Sequence, residues 1–127
     1  MNIAFIGTGK LGLPCAEEIA KVGHSVTGYD PACVKSDGTY STTNNLIDLK
    51  YSIAEAVKFA KIVFVAVPTP HDPSYDGRAP TAHLEPRDFN YDIVKDVLRE
   101  CDAVMNPAQM IVLISTVLPG TVRRELE

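Results

Sequence analysis

The stretch Ile3-Ala4-Phe5-Ile6-Gly7-Thr8-Gly9-Lys10-Leu11-Gly12 decides how this chain is read. Four apolar residues run straight into glycines spaced Gly-x-Gly-x-x-Gly, and a helical pattern follows. Leu13, Ala16, Ile19 and Ala20 recur on one side, with Glu17, Glu18 and Lys21 on the side facing water. Gly23 is placed to cap that helix, and Pro14 lies in its first turn, where a missing N–H costs least. A second apolar run, Ser25-Val26-Thr27-Gly28-Tyr29, then stops at Asp30, 18 residues past Gly12. The order is strand, glycine turn, helix, strand, acid.

These parts fit together as a dinucleotide site. Gly7 lets the chain turn tightly off the strand, Gly9 carries no side chain to block a pyrophosphate, and Gly12 lets the helix sit close on the sheet. The helix points its unpaired N–H groups and the positive end of its dipole at the phosphates. Asp30 ends the second strand, where a carboxylate accepts hydrogen bonds from both ribose hydroxyls and repels a 2′-phosphate. The expected cofactor is therefore NAD rather than NADP.

Length and composition narrow the remaining choices. At 127 residues the chain has the size of one domain, with 46% hydrophobic and 22% charged residues, as in an ordinary soluble globular protein. A formal charge of −4 and a pI near 5.3 give no electrostatic reason to expect nucleic acid or an anionic membrane as a partner. No apolar run approaches bilayer length and the chain opens directly on a strand, so a cytoplasmic location is expected. Cys15, Cys33 and Cys101 are odd in number and widely spaced, and are read as reduced thiols rather than a disulfide framework or zinc site.

Beyond Asp30 the segment Pro31 to Asn45 reads as a short helix or turn followed by a polar loop. Lys35, five positions past the acid, either reaches the adenosine ribose or a phosphate or is an ordinary surface lysine. A short third strand is expected around Asp48 to Tyr51. Ser52 and Glu55 form a capping box opening a helix that ends near Ala60, with Ile53, Ala56 and Val57 inward. Ile62 to Val67 is a continuous apolar run, expected to be a strand buried on both faces, and so is Met110 to Ile114. Between them lie the turn Val67-Pro68-Thr69-Pro70, a long polar loop from His71 to Asp88, and a helix from Tyr91 to Val104. That helix is expected to place Val94, Val97, Leu98, Cys101 and Val104 inward. The histidines and acids of the loop match no metal-ligand spacing, so no metal is expected. Ser115-Thr116-Val117-Leu118-Pro119-Gly120-Thr121 closes the last strand, and Thr121 is expected to cap a final helix.

With these motifs in hand, the chain resembles the N-terminal NAD-binding domain of the UDP-glucose/GDP-mannose dehydrogenase family over essentially its whole length. Gly-Thr-Gly-Lys-Leu-Gly-Leu-Pro is similar to the family's glycine turn, Val-Pro-Thr-Pro to its Thr-Pro turn, and Ser115 to Thr121 to its Ser-Thr-Val-Pro-Pro-Gly-Thr motif. Lys10 stands where the family has an aromatic residue, Leu118 replaces a proline, and the loop from His71 to Asp88 is longer than usual.

The resemblance implies an α/β fold, a doubly wound parallel sheet (Rossmann) of strand order 3-2-1-4-5. It implies a cofactor site formed by Gly7, Gly9, Lys10, Leu11, Gly12, Asp30, Lys35, Val67, Thr69, Ser115 and Thr116. Thr116 would also be catalytic, positioning the water that hydrolyses a thioester intermediate. The activity implied is oxidation of the C6 alcohol of a sugar nucleotide, UDP-glucose first among candidates, to a uronate in two hydride transfers, chemistry that serves polysaccharide biosynthesis. The family's nucleophilic cysteine, base and substrate domain lie beyond residue 127. The chain is accordingly read as a 1–127 domain stopping short of a sixth strand, inactive alone and expected to self-pair, with a homodimer as the expected assembly. A free-standing NAD-binding sensor or partner-assembled module is the alternative reading. Another oxidoreductase, such as a hydroxyacid dehydrogenase, would leave the Thr116 motif unexplained.

Overall fold

The computed structural model describes residues 1–35, 37, 39 and 44–126. Five strands form one parallel sheet: β1 (Asn2–Ile6), β2 (Ser25–Tyr29), β3 (Asp48–Leu49), β4 (Ile62–Val65) and β5 (Met110–Leu113). Their order across the sheet is β3-β2-β1-β4-β5, the order expected. The helices are α1 (Gly12–Lys21), α2 (Ile53–Val57) and α3 (Asp92–Val104), and a wide helical turn spans Val122–Leu126.

The central apolar runs are explained by a core on each side. Successive side chains of a strand point to opposite faces, so Ala4 and Ile6 join Val63, Val65, Ile53, Val57 and Val94 on the α2/α3 side. Ile3 and Phe5 join Val26, Ala16 and Ile47 on the α1 side. Phe5 and Phe64, register partners across β1 and β4, stack at 4.8 Å on that second side. A polar residue at any of these positions would fall into one core or the other, and each fully buried apolar side chain contributes about 1.5–3 kcal/mol.

The structure corrects the sequence reading at several points. β5 was expected to be buried on both faces, but all four of its residues are at least partly exposed, Met110 at 60%. Among the described residues it pairs only with β4, and a groove of about 640 Å³ opens over its face beside Leu98, Ile111 and Leu126. Val104, the last residue of α3, is exposed rather than inward. Regular helix in α2 stops at Val57 rather than Ala60: Ala60 N–H closes a tighter turn on Val57 O at 3.1 Å, and Gln109 Nε2 donates to Val57 O and Ala60 O at 2.7 Å each. Half of the capping box forms as expected, Glu55 N–H donating to Ser52 Oγ at 3.2 Å. The Glu55 carboxylate, however, accepts from Tyr51 N–H, 3.1 Å away. Glu17 is half-buried, its Oε1 accepting from Asn44 Nδ2 at 2.7 Å. Part of the polar loop after Asp30 lies outside the described residues.

Cys101 packs at the centre of the α3 contact with no solvent exposure, and burial pushes its thiol up to about 11. The thiolate is the reactive species. In the native chain at pH 8, Cys101 is therefore expected to resist iodoacetamide while the half-buried Cys15 and Cys33 are modified first, as read by peptide mass mapping. Equal labelling of all three would show that α3 does not stay on the sheet. Among the described residues no helix is long and apolar enough to cross a membrane.

Candidate functional site along the carboxyl ends of the strands

All five strands are parallel, so their carboxyl ends lie along one edge, where doubly wound sheets bind their ligands. Backbone bonds carry the ladder past the strand ends: Gly7 N–H donates to Tyr29 O and Ala66 N–H to Ile6 O, each at 2.8 Å, and Ile114 N–H to Val65 O at 2.9 Å. These bonds put Asp30, the glycine turn, Val67 and Ser115 in one row, in the order β2, β1, β4, β5.

Three glycines of the turn are held to different standards by the protein itself. Gly7 has φ +95°, and a Cβ there would stand 2.4 Å from Ala66 O. A Cβ on Gly12 would stand 1.9 Å from Gly7 O. Gly12 is required by the close approach of α1 to the turn, and Gly7 by its left-handed backbone and by the chain leaving β4 beside it. A Cβ on Gly9 would meet nothing within 4 Å. Packing within the described residues does not require Gly9, which leaves its backbone open to a ligand approaching α1's N-terminal end.

Asp30 sits beside the turn, half-buried. Its Oδ2 accepts from Thr8 N–H at 3.0 Å and its Oδ1 from Ala32 N–H at 2.9 Å. An ionised carboxylate has about four acceptor positions, so these two bonds orient it and leave capacity for two hydroxyls. The Thr8 bond also ties the glycine turn to the end of β2. Thr8 itself is buried at 5% exposure, with its Cγ2 lying where a Cβ on Gly28 would come within 2.9 Å. Sequence reasoning passed over both residues, since a threonine between glycines and a glycine in a strand carry no signal until the two elements meet.

The other expected site residues divide by exposure. Lys10 and Leu11 are exposed at the start of α1, and neither Lys10 nor Lys35 makes an ion pair among the described residues. Lys35 is exposed on the loop after Asp30, its N–H donating to Thr39 O at 2.6 Å. Val67 is buried and Thr69 half-buried after β4. Ser115 is buried after β5, its N–H 3.3 Å and its Oγ 3.4 Å from Val65 O, whereas Thr116 is exposed. The groove of about 640 Å³ lies apart from this row, since none of these residues lines it.

The long loop is braced by its own side chains. Asn90 N–H closes its base on Pro70 O at 2.8 Å, Arg87 Nη1 pairs with Asp72 Oδ2 at 2.6 Å, and Tyr75 Oη donates to Glu85 O. Among the described residues no three His, Cys, Asp or Glu side chains converge as a metal site would require.

A third residue missed from sequence is Tyr91, just before α3 and 4% exposed. Its Oη donates to Asp88 Oδ1 and accepts from Leu118 N–H at 3.1 Å and Thr121 Oγ1 at 3.3 Å. Thr121, expected as a helix cap, thus turns its hydroxyl into a buried contact. The bond from Tyr91, chief among several causes, holds the Asp88 carboxyl below its ordinary range. An aromatic flanked by polar residues was the signal available for Tyr91, but its partners lie 27 and 30 residues away.

The family model described as UDP-glucose/GDP-mannose dehydrogenase family, NAD binding domain, matches residues 1–127. The fold is similar to that of GDP-mannose dehydrogenase from Pseudomonas aeruginosa, with TM-score 0.70 and 23% identity over 97% of this chain and 30% of that one. It is also similar to a UDP-glucose dehydrogenase from Pyrobaculum islandicum, with TM-score 0.68 and 24% identity over 94% of this chain and 30% of that one. A probable 3-hydroxyisobutyrate dehydrogenase of Mycobacterium bovis is 34% identical over 68 residues, 54% of this chain and 22% of that protein. The chain thus spans under a third of the length of each of these proteins. Matched from its first residue to its last, and folded in the strand order of a doubly wound sheet, the chain belongs to the UDP-glucose/GDP-mannose dehydrogenase family as its NAD-binding domain.

Proposed function

We propose that residues 1–127 serve as the cofactor domain of an oxidoreductase that converts the C6 alcohol of a sugar nucleotide, UDP-glucose first among them, to the uronate. The observation that carries the reading is the contrast at the glycine turn: Gly7 and Gly12 are demanded by packing, and Gly9 by nothing within 4 Å. A glycine kept free of a side chain at a helix N-terminus suits close approach of a pyrophosphate. Lys10 and Leu11 flank that approach. Asp30, with Lys35 beyond it, takes the adenosine ribose. Val67, Thr69, Ser115 and Thr116 line the half of the row beyond β1, toward the nicotinamide.

When bound, NAD supplies the hydride acceptor. The chain's own residues do the rest of the work on this side. The Asp30 carboxylate fixes one ribose, the α1 N–H groups neutralise the phosphates, and the exposed Thr116 hydroxyl orients a water at the strand end. The substrate-binding portion and the nucleophile belong to sequence outside residues 1–127, and a homodimer is part of the same proposal.

Two measurements test this. The 127-residue chain is expected to prefer NAD over NADP by at least about tenfold, the cost of facing a 2′-phosphate with a carboxylate. Asp30→Ala is expected to shrink that ratio toward one, and a ratio unchanged by the substitution would remove Asp30 from the site. A protein carrying this domain with its substrate portion is expected to form two NADH per UDP-glucose oxidised. NADH binding without oxidation of any sugar nucleotide would reject the enzymatic reading and favour a binding module.

A further inference from the structure

We propose that Tyr91 is a positioning residue of the cofactor site, its buried hydroxyl setting the place of the Ser115–Gly120 turn against the nicotinamide half of the dinucleotide. This rests on the function proposed above. A tyrosine hydroxyl has one proton to give and two lone pairs to receive with, and here all three are used, on Asp88, Leu118 and Thr121. Leu118 N–H, donating to Tyr91, ties the exposed part of this turn to the start of α3, while Gly120 O accepts from Arg124 N–H in the helical turn that follows, at 3.1 Å. Thr116, Leu118, Pro119 and Gly120 are all exposed, and an exposed turn with few ties samples many positions. A fully satisfied buried hydroxyl restricts it to one.

The direction of that hydroxyl is itself fixed. Asp88 takes its proton, so the lone pairs face Leu118 and Thr121, and Arg124 Nη2 holds the other Asp88 oxygen at 2.8 Å. Asp88 closes the long polar loop, so one hydroxyl sets the loop and the turn relative to each other. A phenylalanine would fill the same space, which separates the hydroxyl's role from that of the ring.

The sheet order gives the role a specific signature. Asp30 lies on the β2 side of the glycine turn and the Ser115–Gly120 turn on the β5 side. A dinucleotide with its adenosine ribose at Asp30 and its pyrophosphate over Gly9 therefore lays its nicotinamide toward Ser115 and Thr116. ADP-ribose keeps the second ribose but lacks the nicotinamide ring, the part that would lie against them.

Calorimetric titration of the 127-residue chain with NADH and with ADP-ribose, before and after Tyr91→Phe, tests the proposal. NADH affinity is expected to fall about fivefold, the net worth of one hydrogen bond, with ADP-ribose affinity unchanged. Equal loss for both ligands would mean a general loosening of the fold and overturn it, as would no loss for either. Asp88→Ala removes the acceptor that aims the hydroxyl from an exposed position and is expected to reproduce the selective loss. It decides the matter by the same comparison if Tyr91→Phe does not fold. A parent chain that takes up neither ligand overturns the cofactor site itself, and this proposal with it.

Discussion

Gly12→Ala is expected to lower the stability of this chain by about 3 kcal/mol, at the upper end of the usual cost of overpacking. The new Cβ would lie 1.9 Å from Gly7 O and 3.2 Å from Ala66 Cβ. The first obstacle is backbone, held by the Gly7 N–H bond to Tyr29 O, and cannot swing aside as a flexible side chain would. Relief requires α1 to move off the sheet, which loosens the contact of Ala16 and Leu13 with Ile3, Phe5 and Val26. Against a total stability of about 5–15 kcal/mol for a domain, this is a large fraction. Urea denaturation followed by far-UV circular dichroism measures it. An unfolding free energy within about 0.5 kcal/mol of the parent's would mean that α1 does not approach the sheet this closely.

Gly9→Ala is expected to do the opposite, leaving stability within about 0.5 kcal/mol of the parent while weakening NADH binding by at least about tenfold. Nothing stands within 4 Å of the added methyl, and Gly9 does not adopt the left-handed backbone of Gly7, so the free chain accommodates the change. Only a ligand lying against the turn would meet it. The two glycines, three residues apart, thus separate folding from binding. A Gly9→Ala chain that binds NADH as the parent does would place the dinucleotide somewhere other than over this turn.

The local pattern carried much of this molecule. An apolar run of strand length followed by glycines at a fixed spacing and a helical period can be satisfied by few arrangements. The crossover from β1 through α1 to β2 and the position of Asp30 followed directly, whereas β4 is fully buried only on the face of Val63 and Val65, with Ile62 and Phe64 half-buried. Strand and helix periods are properties of neighbours in the chain, and that is why they can be read there. The polar pairings could not be read in the same way. Glu55 has the spacing of a capping box, yet its carboxylate turns to Tyr51 N–H. Val104 has the period of an inward residue, but it is the last residue of α3 and is left exposed.

The sequence alone therefore determined the parallel sheet, the glycine turn and the acid at the end of β2, because each depends on residues within about one supersecondary unit. Only the tertiary structure decided which glycine is free, what Tyr91 holds and what binds the end of α2. Gly7 is constrained by Ala66, the carbonyls at the end of α2 are bound by Gln109, and Tyr91 is engaged by Leu118 and Thr121. These partners lie tens of residues away, and a contact of that kind exists only once the sheet has brought the separate strand ends into one row.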